Sequence, residues 1–81
     1  MNLSQFPERY RAQVLSGIVR NHRAGIAVRF GDLEGRVLPL TVRRDKPTAA
    51  ALPPTELEQL ARSAFGDLPY ELVVYLEELP Q

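Results

Sequence analysis

VLSGIVRNHRAGIAVRFGDLEGRVLPLTV, residues 14–42, is the stretch on which the fold turns. Runs rich in Val and Ile are broken by two turn-like segments, Asn21-His22-Arg23-Ala24 and Gly31-Asp32-Leu33-Glu34, and this punctuation predicts a three-stranded antiparallel meander over about 14–42. If both turns are four-residue loops, Arg20 faces Gly25, Ile18 faces Ala27, Phe30 faces Gly35 and Arg29 faces Arg36. Strand side chains alternate, so that register assigns both faces at once. One face would carry Leu15, Gly17, Val19, Ile26, Val28, Phe30 and Val37, and the other Ser16, Ile18, Arg20, Ala27, Arg29, Glu34 and Arg36.

Downstream, Pro39 cannot donate to a strand ladder and predicts a bulge or bend. Leu38, Leu40 and Val42 follow the parity of the arginine face. Either the strand re-aims at Pro39 or these three residues form an exposed apolar patch. Residues 43–54, with Lys46-Pro47, three alanines and Pro53-Pro54, read as a loop between the meander and a helix. The helix is expected over about 56–65. Thr55 and Glu58 have capping-box spacing, Leu57, Leu60, Ala61, Ala64 and Phe65 share a helical face, and Gly66 and Pro69 stop it. Residues 70–77 fit either a helical stripe or a strand, and Val73-Val74-Tyr75 favours a C-terminal strand. Upstream, Phe6 and Tyr10 would share the face of one or two helical turns. The expected class is therefore α+β.

With 81 residues the chain is expected to be one domain, 1–81, with a small core. It has no cysteine, so disulfides and Cys-based zinc sites are excluded. Its longest apolar runs fall far short of the ~20 residues of a membrane span, and its polar first residues do not resemble a signal peptide. A cytoplasmic protein with no membrane partner is the expectation. The formal net charge is zero, yet residues 1–46 carry nine cations against four acids and residues 47–81 one cation against six acids. Nine of the ten cations are arginine, the side chain suited to bidentate contact with phosphate or carboxylate. This split implies either a basic interaction surface or two halves that neutralise each other in the fold.

The inventory argues against catalysis. His22 is the single histidine and would sit in a turn, so Ser4, Ser16 and Ser63 have no other base to share. One histidine does not supply a zinc site, and Asp32 and Glu34 at a turn lack a calcium-loop pattern. No metal or other cofactor is expected. What remains is Arg20, Arg29 and Arg36 on one face, with Arg23 in the adjoining turn. Arginines directly opposite one another repel unless an anion offsets them. That anion would be nucleic-acid phosphate, or else Glu34, Asp45 or the acidic C-terminal half.

Gly17-Ile18-Val19, the run from Gly25 to Pro39 and its Glu34-Gly35-Arg36-Val37 segment resemble the first three strands of S1-type OB-fold RNA-binding domains. Gly66-Asp67 ahead of Leu72-Val73-Val74 is similar to the Gly-Asp before that family's fourth strand. The resemblance covers roughly residues 14–40 and parts of 66–76. It implies a small, partly open OB/SH3-like barrel that binds RNA. Where the family carries stacking aromatics around its second strand, this chain has Ala24 and Ala27, so Tyr10 or Tyr75 would have to supply a stacking platform.

Two functions are thus expected from the sequence. The first is a non-catalytic module that binds RNA or single-stranded DNA through Arg20, Arg23, Arg29 and Arg36. The alternative is a protein-interaction or self-associating module, a homodimer included, that uses Leu38, Leu40 and Val42 together with the complementary charged halves.

Overall fold

The computed structural model describes residues 1–78 and is an α+β fold. After a single 3-10 turn at Leu3–Gln5, the elements are α1 (Glu8–Arg23), β1 (Ile26–Phe30), β2 (Val37–Arg44), a short α2 (Pro47–Ala50), α3 (Pro54–Ser63) and β3 (Glu71–Glu77). The three strands form one mixed sheet in the order β1-β2-β3, with β1 antiparallel and β3 parallel to the central β2. The sheet is not closed on itself.

The first strand of the expected meander is a helix. Val14, Gly17 and Asn21 are buried at the spacing of one helical face, whereas Leu15 and Val19, assigned to the core by strand alternation, are 48% and 39% exposed. The β-branched pair Ile18-Val19 gave the segment its strand look. The residues before it, Glu8 to Leu15, are mostly good helix formers, and the long-range contacts suit helix spacing. Gly17 lets the Phe65 ring lie against the α1 backbone: a Cβ there would overlap the ring. Asn21 is buried and its Nδ2 donates to the Ala61 carbonyl of α3 at 3.2 Å. Gln13 Nε2 donates to the carbonyls of Phe65 and Asp67 at 2.7 and 2.8 Å, so α1 is pinned to the C-terminal end of α3 and the turn that follows it. His22, expected in a turn, lies in the last turn of α1 and is exposed.

The hairpin of β1 and β2 is present, but its register differs from the four-residue-turn reading. Phe30 pairs Leu40 and Arg29 pairs Thr41. Glu34 and Val37 exchange backbone hydrogen bonds of 2.9 and 3.0 Å around Gly35-Arg36, and the Gly31 N–H donates to the Pro39 carbonyl at 2.9 Å. Between these two contacts Asp32 and Leu33 stand opposite Leu38 alone. That extra residue inverts the parity of everything after it. Leu38, Leu40 and Val42, offered as an exposed patch, are therefore wholly buried. Pro39 sits within β2 where the ladder to β1 ends, so its missing N–H falls at the last rung.

Residues 43–54 are not all loop. Arg43 and Arg44 extend β2, and Pro47–Ala50 form α2. The α3 helix starts at Pro54 behind Pro53, with no side-chain cap, so the Thr55–Glu58 box is not used. Leu57, Ala61 and Phe65 point inward as expected, Leu60 is exposed, and Gly66 takes a left-handed φ of 66° just past the helix. The C-terminal strand is present at Glu71–Glu77.

The core lies between the helices and one face of the sheet. Ile26 and Phe30, then Leu38, Leu40 and Val42, then Leu72, pack with Val14, Leu57, Ala61 and Phe65. Phe30 joins its two ends, edge-on to Phe6 at 5.1 Å and to Phe65 at 5.2 Å between ring centres. Each fully buried leucine or phenylalanine contributes roughly 1.5–3 kcal/mol.

Candidate functional site on the open sheet face

Side chains of the opposite parity point away from the helices, and none of them is buried. The strand register sets them in rows across the sheet. Arg29, Thr41 and Tyr75 form one row, and Ala27, Arg43 and Glu77 form the next. Toward the other end, Pro39 lies beside Val73 and Val37 beside Glu71. Arg29, Arg43, Tyr75 and Glu77 gather at one end of the face, and Val37, Pro39 and Val73, with Glu71 at the margin, lie at the other. A shallow cavity of about 260 Å³ is lined by Ala27, Val28, Arg29, Thr41, Arg43 and Glu77.

Tyr75 is 56% exposed and stands two strand spacings, ~10 Å, from Arg29 with Thr41 between them. An exposed aromatic ring on the same sheet face as guanidinium groups offers a stacking surface within a nucleotide's reach of anion donors. Tyr10 does not reach this face. It belongs to α1, packs edge-on to Tyr70 at 6.3 Å and carries the Arg9 guanidinium over its ring at 4.8 Å.

Two acids answer the arginines. Arg29 Nη2 is 3.7 Å from Glu77 Oε2, and Arg43 Nη2 is 3.2 Å from Asp45 Oδ1. Both pairs are wet, with the Arg29 side chain 76% exposed, so each contributes only about 0–1 kcal/mol. Arg44 is different. Its Nη1 meets Glu78 Oε1 at 2.6 Å, while Nε and Nη2 donate to the carbonyls of Ala49 and Leu52, and it is the most shielded of the three arginines. Arg44 fastens α2 and the end of β3 to β2. The basic and acidic halves of the sequence thus meet within one chain, at the Arg29–Glu77 and Arg44–Glu78 pairs.

Of the four arginines picked from the sequence, only Arg29 lies on this face. Arg20 and Arg23 are exposed in the last turn of α1, where a cation favours the negative end of the helix dipole. Arg36 is exposed in the turn before β2, and its carbonyl accepts the Glu71 N–H at 2.7 Å. Arg29 and Arg36 are not cross-strand neighbours. Arg43 was missed because it falls in the expected loop. Its signal was the continued alternation of Leu40, Val42 and Arg44 with Thr41 and Arg43 beyond Pro39. Among the described residues, no three of His, Asp and Glu gather as a metal-binding group, and no helix is long and apolar enough to cross a membrane. No protein-family model matches the chain, and neither a curated protein nor a solved structure shows detectable similarity to it.

Proposed function

We propose that this chain is a non-catalytic binding module that takes single-stranded nucleic acid, RNA or DNA, on the open face of its sheet. The observation that carries the reading is the row Arg29–Thr41–Tyr75 with Arg43 one rung away. A base stacks on Tyr75, the neighbouring phosphates meet Arg29 and Arg43, and the Thr41 hydroxyl between them donates or accepts a hydrogen bond. A duplex hides its bases, so an exposed ring on an open sheet face suits an unpaired strand. The reading rests on this placement rather than on the S1-type resemblance, because Gly17-Ile18-Val19 lies in α1. The patch of Leu38, Leu40 and Val42 that the alternative needed is core.

The test is fluorescence anisotropy with labelled eight-nucleotide RNA and DNA at two salt concentrations. Binding should weaken with salt, with a log–log slope of about −0.7 for each phosphate neutralised. Replacing Arg29 and Arg43 together by Gln should flatten that slope by about 1.4. Absence of binding at low salt, or a slope unmoved by the double variant, would overturn the reading.

A further inference from the structure

We propose that Glu77 is a built-in counter-anion that occupies the phosphate position of this face and that an incoming strand must displace. The inference rests on the reading of the face as a nucleic-acid surface. Glu77 reaches the face from β3, the strand nearest the acidic end of the chain. It lies 3.7 Å from the Arg29 guanidinium and is registered directly beside Arg43, whose own guanidinium pairs with Asp45, so the carboxylate neutralises Arg29 from across the sheet and stands next to a second arginine. It also lines the same shallow cavity as Arg29, Thr41 and Arg43. An anion placed there by a ligand would meet the same donors.

The form of the contact separates it from a structural pair. Arg44 and Glu78 approach to 2.6 Å, and the other two Arg44 nitrogens each donate to a backbone carbonyl. Arg29 and Glu77 are farther apart, both are exposed, and among the described residues Arg29 makes no side-chain hydrogen bond. Arg29 therefore keeps its planar set of donors for a ligand while Glu77 neutralises its charge. A carboxylate carries one negative charge, as a phosphodiester does, but it is tethered. It lowers affinity for any strand by an amount that the free ligand must overcome, and it disfavours weak, adventitious anions at Arg29.

Removing the charge while keeping the shape, as in Glu77→Gln, should tighten binding of labelled oligouridine of eight nucleotides about two- to fivefold at low salt. The gain should shrink as salt rises, because the Debye length falls to about 10 Å at 0.1 M. Glu78→Gln makes the same change in net charge one residue away and should bind as the parent does. Glu77→Asp keeps the charge and should also stay near the parent. Far-UV circular dichroism and a thermal melt establish that each variant is folded. Tighter binding by Glu77→Gln alone supports the proposal. If the parent binds and loses affinity in the Arg29/Arg43 double variant, while Glu77→Gln is unchanged, weaker, or matched by Glu78→Gln, the counter-anion role is overturned and the nucleic-acid reading stands. If neither the parent nor Glu77→Gln binds at low salt, the nucleic-acid reading fails and this inference with it.

Discussion

The two faces of the sheet use the same three strands and obey opposite rules. Toward the helices every position from Ile26 to Phe30, Leu38 to Val42 and Leu72 to Leu76 is aliphatic or aromatic, and the central strand is wholly buried there. Away from the helices the same strands present Arg29, Thr41, Arg43, Tyr75 and Glu77, none of them buried. The inner face holds the fold together by area removed from water. The outer face, relieved of that duty, tolerates unlike charges and an exposed ring. Stability and the proposed binding are therefore assigned to side chains one residue apart along a strand.

Leu40 and Thr41 put that separation to its strongest test. Leu40→Ala should cost about 2–5 kcal/mol in urea denaturation, because it opens a cavity under Phe30 and Val74. A loss below about 1 kcal/mol would mean that the inner face is looser than its burial indicates. Next comes the helix layer that makes the inner face an interior. Gly17→Ala should destabilise by about 1–3 kcal/mol in the same assay, since the added methyl meets the Phe65 ring. A neutral result would place that ring elsewhere. On the outer face the effect moves from stability to affinity. Tyr75→Ala should weaken oligonucleotide binding by about 1–3 kcal/mol and leave the denaturation midpoint almost unchanged. An equal loss in both would make Tyr75 a packing residue. Smallest of all, Thr41→Val should shift stability by no more than about 0.5 kcal/mol, although it stands beside Leu40 in the central strand.

How much of this was legible in the sequence depends on what each segment had to contact. Ile26–Phe30, α3 and β3 could be read because their local patterns agree with their partners. Alternation marked β1, Leu57 and Ala61 marked α3, and Val73-Val74-Tyr75 marked β3. The α1 helix was misread because its inward face is made of Val14, Gly17 and Asn21. Two of those three are not recognisably apolar until Phe65 and Ala61 are known to lie against them. The parity of β2 was misread because the extra residue at Asp32-Leu33 has no signature beyond ordinary turn composition. That single residue moved Leu38, Leu40 and Val42 from a proposed interface to the core. Closure of the turn around Gly35-Arg36, rather than at residues 31–34, took Arg36 away from Arg29 and brought Thr41 opposite it, with Arg43 one rung on. The arginines could be picked from composition, but which of them share a face could not, because long-range register decides that.

The parallel pairing of β2 with β3 has a kinetic side. Arg29 and Arg43 belong to a hairpin closed by a short loop, whereas Tyr75 and Glu77 arrive only after α2 and α3 have crossed back over the sheet, with Val37 meeting Glu71. Contacts so distant in sequence are slow to form. A chain caught with only its hairpin docked would present Arg29 with neither the Tyr75 ring of the proposed stacking surface nor the Glu77 carboxylate that pairs with it. Capture of a ligand by the complete face would then report completion of the fold. Saturation at 100 times Kd would raise the unfolding free energy by about 2.7 kcal/mol, a large fraction of what so small a domain has to lose.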